Sequence, residues 1–146
     1  MARYQFRLAT LQKVREAHRD RERVALAEAF RAEQVLAERR AELASEEANL
    51  RELRRSAASG RFMNINRLIE AQRYELVLRA NGQELARQQA MLEVETERRR
   101  QLLVEADREV RVLERLDERH RHEHRRHEHR REIKQMDETA TQRHSL

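Results

Sequence analysis

Ser56-Ala57-Ala58-Ser59-Gly60-Arg61-Phe62-Met63-Asn64-Ile65-Asn66 is the clearest interruption in a chain otherwise poor in turn signals. Gly60 can supply the conformation that closes a helix, and Asn64 or Asn66 can cap a new one, so the stretch reads as a turn between two helices. On either side little would stop a helix. The 146 residues contain no proline and two glycines, so a sheet protein or a compact α/β enzyme would lack its punctuation. The spacing predicts a single domain over 1–146, with one helix over about 2–57, a turn over about 58–63 and a second helix over about 64–143. At 1.5 Å per residue such helices would be roughly 80 and 120 Å long, far too long for the inside of a compact domain, so they must pack along each other. A turn this short favours an antiparallel hairpin, the second helix extending beyond the first or bending. The fold class expected is all-α, a long two-helix antiparallel coiled-coil hairpin.

Composition agrees. Charged residues make up 40% of the chain, which would suit disorder. The abundant types are Ala, Leu, Glu, Arg and Gln, all strong helix formers, and the leucines are periodic. Leu36, Leu43, Leu50 and Ala57 form a row at seven-residue spacing, with Ala29 and Leu8 in the same register. Ala71, Leu78, Leu85, Leu92, Ala106 and Leu113 form its counterpart, interrupted by Arg99. The companion rows are poorer: Leu11, Ala25, Ala32 and Leu53 on the first helix, and Leu102, Leu103, Val110 and Leu116 on the second. Opposite charges three or four apart, such as Glu47/Arg51, Glu75/Arg79, Asp107/Arg111 and Glu84/Arg87, support exposed helix faces. Gly82, next to Asn81, marks a soft or bent point in the second helix.

Several function classes fall away. With no cysteine there are no disulfides, thiolate nucleophiles or Cys-based zinc sites. No run of about 18 apolar residues occurs, and the first eight residues lack the apolar stretch of a signal peptide, so a soluble chain is expected. A general acid or base needs a partly dry concave site, which a two-helix hairpin does not offer, and Gly60 and Gly82 cannot build a phosphate-binding loop. The carboxylates read as solvated helix faces. No catalytic residue and no cofactor is expected.

Arg119 to Arg131 is the most conspicuous segment, with six arginines and five histidines. His120, His124 and His127 fall on one helical face, with His122 and Glu123 nearby, so a surface metal site is conceivable. The arginines would repel the ion, and a solvated basic helix end is the favoured reading. Residues 119 to 146 carry eight positive and five negative groups. Such an end could meet nucleic acid, acidic lipid or an acidic protein. Interleaved aromatics are missing and Glu123, Glu128 and Glu132 dilute the field, so a protein partner is favoured and no nucleic acid is expected. Apolar residues give a second signal. Tyr4, Phe6, Leu8 and Leu11 open the first helix, and Phe62, Ile65, Leu68, Ile69, Tyr74, Leu76, Val77 and Leu78 crowd the start of the second on more than one face.

Three ordered motifs carry a family resemblance: Phe6-Arg7-Leu8-Ala9-Thr10-Leu11-Gln12-Lys13-Val14-Arg15 at the start, Arg111-Val112-Leu113-Glu114-Arg115-Leu116, and Gln135-Met136-Asp137-Glu138-Thr139-Ala140 near the end. With the length and the single central break, they make the chain resemble the FliJ proteins of the bacterial flagellar type III export apparatus. The resemblance implies a non-enzymatic stalk similar to the central shaft of rotary ATPases. It implies binding of the terminal end to the hexameric export ATPase, contact with the cytoplasmic domain of the export gate, and escort of export chaperones. Cytoplasmic location with peripheral attachment to the inner face of the cell membrane at the flagellar base, and a part in motility, follow from the same resemblance. Carried onto this chain, the ATPase-facing positions are Phe6, Leu8, Leu11, Asp137 and Glu138, joined by Arg119, Arg125, Arg126 and Arg130 of the basic end. Tyr74 and Leu78 become the gate-facing candidates. Thr139 stands where the family commonly has an apolar residue. The alternatives are the analogous stalk of a virulence type III secretion system and a basic coiled-coil nucleic-acid-binding protein.

Overall fold

The computed structural model describes residues 3–60 and 62–144, with side-chain environments given up to residue 142. Two helices, α1 (Ala9–Ser59) and α2 (Ile65–His144), pack against each other, and no strand occurs among the described residues. Arg61 of the expected turn and Ala2 of the expected first helix lie outside the described residues. The chain divides into two compact units, Val24–Gln101 around the turn and a terminal unit of Met1–Arg23 with Leu102–Leu146.

The turn is built where the sequence places it, by asymmetric means. The side-chain oxygen of Asn64 accepts the amide hydrogen of Arg67 at 3.2 Å, and its carbonyl accepts that of Leu68 at 3.2 Å, so Asn64 is the N-cap of α2. Gly60 does not act as expected. Gly60 does not have a positive φ, so it does not close α1 in the left-handed conformation. Serine hydroxyls hold its last turn, Ser56 donating to the Leu53 carbonyl at 2.9 Å and Ser59 to that of Ser56 at 3.5 Å.

In the turn unit the leucine rows form the seam. Ala29, Leu36, Leu50 and Ala57 of α1 and Ala71 and Leu78 of α2 are buried, and Leu43 packs on the cluster of Leu50, Ala71 and Leu78. The companion row is polar. Leu53 is 46% exposed and Ala32 is exposed, so these two expected members of the α1 companion row lie off the seam. Its place is taken by hydrogen-bonded pairs that step together along both helices: Arg54 with Glu75 at 2.6 Å, Arg40 with Gln89, and Glu33 with Thr96, whose hydroxyl donates at 2.7 Å. The α1 number falls as the α2 number rises, which makes the packing antiparallel. Thr96 is 3% exposed, and Glu33 satisfies its hydroxyl where an unpaired one would cost about 1–3 kcal/mol. Gly82 occurs in the same polar row. α2 continues through it, and a Cβ added there would meet the Leu43 side chain at 3.4 Å. A cleft of about 440 Å³ opens beside it between Leu50, Arg54, Glu75 and Leu78.

In the terminal unit Ala106, Val110 and Leu113 of α2 are buried, Val110 fully. Arg15 pairs with Glu109 at 2.7 Å across the helices. The four intrahelical ion pairs read from the sequence all form, at 2.9 to 4.0 Å, on exposed faces where each is worth a few tenths of a kcal/mol. Residues 133–142 of α2 are exposed throughout, so the second helix does run on beyond its packing partner.

Candidate functional site

The first helix begins at Ala9, so Tyr4, Phe6 and Leu8 do not open it as expected. They form a non-helical strap that turns into α1, with the Ala9 amide bonded to the Phe6 carbonyl at 3.2 Å. The strap lies on α2. Tyr4 donates its hydroxyl to Asp117 Oδ1 at 2.7 Å, and its ring stands 5.6 Å from that of His124 and 5.6 Å from the Arg121 guanidinium. The Phe6 ring lies 6.1 Å from His120. Asp117 in turn pairs with Arg121 at 2.8 Å. Loss of water, the Asp117 hydrogen bond and its negative charge push the Tyr4 phenol above its ordinary value of 10.0, with Arg121 opposing.

This arrangement explains the histidines. The buried row through Leu113 continues one heptad on to His120, and the row through Val110 continues to Asp117 and His124. The same seven-residue period that finds the leucines could have found these positions as the end of the seam. His120 and His124 thus touch Phe6 and Tyr4, and no group of three His, Asp or Glu placed to hold a metal ion is found among the described residues.

The other expected ATPase-facing residues separate into two classes. Phe6 and Leu8 are half-buried, and Leu11 is 40% exposed on α1. Arg119, Arg125, Arg126 and Arg130 are exposed on α2, and none has an ion pair among the described residues. Asp137 and Glu138 are exposed on the unpaired part of α2, away from the strap, their carbonyls accepting the Thr141 hydroxyl at 2.5 and 3.2 Å. The structure gathers the strap with the start of the basic run, and leaves Asp137 and Glu138 apart.

The gate-facing pair divides. Tyr74 is 46% exposed and donates its hydroxyl to Glu46 at 2.8 Å, which, with some loss of water, raises its phenol above 10.0. Leu78 is 2% exposed in the seam beside Leu50 and Ala71. The expectation that Leu78 presents an apolar surface is therefore corrected: its heptad position turns it towards α1.

A feature the sequence reading passed over lies at the turn. Residues 51–79 hold seven arginines and three glutamates, a larger excess than the basic terminal end carries. Phe62, Met63, Ile65 and Leu76 are exposed there.

The family model described as "Flagellar FliJ protein" matches residues 4–146. No curated protein and no solved structure matches the chain. The matched span takes in the strap, both helices and the turn between them, and no described helix is long and apolar enough to cross a membrane. On that match the chain belongs to the flagellar FliJ family, whose work is flagellar protein export.

Proposed function

We propose that this chain is a non-enzymatic central stalk of the flagellar export apparatus, coupling the hexameric export ATPase to the export gate. The family match over 4–146 carries the reading, and it favours a flagellar over a virulence export system. The strap and the basic run form the ATPase-facing end: Phe6, Leu8 and Leu11 offer the apolar contact, and Arg119, Arg125, Arg126 and Arg130 the charge. An axle that turns or rocks inside a ring is held better by diffuse attraction than by fixed bidentate pairs. Arg119, Arg126 and Arg130, without ion pairs among the described residues, share one stripe of α2 with Arg125 beside it, and this exposed charge supplies such attraction. Asp137 and Glu138 reach the ring from the unpaired part of α2. At the other end Tyr74 faces the gate, held by Glu46, while Leu78 supports it from within the seam. Export chaperones are further partners.

The test is stimulation of the purified export ATPase. Replacing Arg119, Arg125, Arg126 and Arg130 by Gln should lower both the stimulation and its sensitivity to salt while leaving helicity unchanged. Unaltered stimulation by that variant, or stimulation that a chelator abolishes, would remove the basic run from the ring contact.

A further inference from the structure

The chain's net charge of +5 is concentrated at the turn, where seven arginines face three glutamates in residues 51–79 and supply +4 of it. Four of these arginines, Arg51, Arg54, Arg55 and Arg79, share carboxylates in pairs open to water. Arg67 and Arg73 have no ion pair among the described residues.

Apolar side chains stand out of the fold in the same place. Phe62 is 89% exposed, Met63 63%, Ile65 64% and Leu76 59%. The hairpin has no use for them, since Ala57, Ala71 and Leu78 already close the seam there. Ile65, Ile69 and Leu76, four and seven residues apart, share one stripe of α2 on the side away from Ala71 and Leu78. Arg73 and Arg79 flank that stripe, and Phe62 and Met63 lie on the connection itself.

We propose that the turn is a docking surface for an acidic lipid bilayer, with Phe62, Met63 and Ile65 entering the boundary between headgroups and acyl chains and the arginines on the lipid phosphates. Charge complementarity selects the occupant: an excess of cations around exposed apolar residues is the composition of interfacial segments that bind anionic leaflets. Shape selects lipid over protein. Phe62 and Met63 project from the connection and Ile65, Ile69 and Leu76 from one stripe of α2, so a protein would have to fit both at once, whereas a fluid interface closes round them without complementarity. The inference rests on this chain's own residues and stands or falls apart from the stalk reading.

The chain contains no tryptophan, so Phe62→Trp creates a single fluorescent reporter. In the full chain its emission should shift to the blue with vesicles of phosphatidylcholine mixed with phosphatidylglycerol, stay unshifted with phosphatidylcholine alone, and revert on adding salt. A second reporter, Met136→Trp on the exposed part of α2, should stay unshifted. In co-sedimentation, Arg67→Gln and Arg73→Gln should each weaken binding to the acidic vesicles about fivefold. Phe62→Ser should weaken it about tenfold, with helicity unchanged. No shift at Phe62→Trp with acidic vesicles would overturn the proposal. So would a shift at Met136→Trp alone, which would give the lipid affinity to the basic end. A shift at Phe62→Trp caused by the soluble gate domain and not by vesicles would make the turn a protein-docking surface instead.

Discussion

Tyr4 shows how much one side chain holds together. Its hydroxyl ties the strap ahead of α1 to α2, donating to Asp117. Its phenol is raised above 10.0 by lost hydration, by the hydrogen bond and by the carboxylate charge, which fixes the sign of its pH dependence. The protonated phenol is the form the fold favours. Its contribution is complete below the unfolded value of about 10 and disappears as pH rises through the higher folded value. In a Tyr74→Phe background, ultraviolet titration should therefore give a single tyrosinate midpoint above 10.0, and Asp117→Asn should bring it down. An unchanged midpoint would mean that Tyr4 does not rest on Asp117. Glu95 is the opposite case. The Arg99 guanidinium, hydrogen-bonded at 2.7 Å, holds its carboxyl below the usual 4.5 despite some loss of water, so that pair weakens only as the solution becomes strongly acidic.

Among the elements, α2 carries the clearest conflict between local preference and packing. Glycine inside a helix is about 1 kcal/mol worse than alanine, yet α2 runs through Gly82 without a break. A methyl group there would meet Leu43 at 3.4 Å, an ordinary contact, and would partly fill the cleft beside Leu50 and Leu78. Gly82→Ala should accordingly raise stability by up to about 1 kcal/mol, read as a higher midpoint in thermal unfolding followed by circular dichroism. A lower midpoint would show that the close approach at Leu43 decides. The two helices, their leucine rows and the Asn64 cap were legible in the sequence because each rests on local chemistry or on a seven-residue period. The strap was not, because residues 3–8 are held by side chains of α2 more than a hundred positions away, which no local preference of Tyr4 or Phe6 encodes. Leu78 carries two sequence signals, a place in the leucine row and a place in the gate-facing apolar cluster, and the structure keeps the first. Its neighbours Leu76 and Val77 are exposed, and only the register of the whole row separates it from them. The charged turn was not legible because its arginines are dispersed over residues 51–79, and only the hairpin brings the end of α1 beside the start of α2.

For the molecule as a whole, the candidate site was legible chiefly through the motifs that carry the family resemblance, and the structure adds which of their residues stand together. The polar row of the turn unit has a further consequence. Arg54, Arg40 and Glu33 meet Glu75, Gln89 and Thr96 in steps of fourteen and seven residues on both helices. A leucine seam alone would accept a slip of one heptad, since every leucine would find another. The polar partners would not: one slip sets Glu47 opposite Glu75, and the other leaves Glu33 facing Leu103. The row therefore works as the teeth of a rack, admitting one engagement of the two helices and measuring length in whole heptads. Removing 41–47 together with 82–88 should shorten the turn unit by about 10 Å and leave one cooperative unfolding transition, whereas removing 41–47 alone should broaden or abolish it. A hairpin unit made this way can change its length in matched increments of seven residues on each helix, with its turn left untouched.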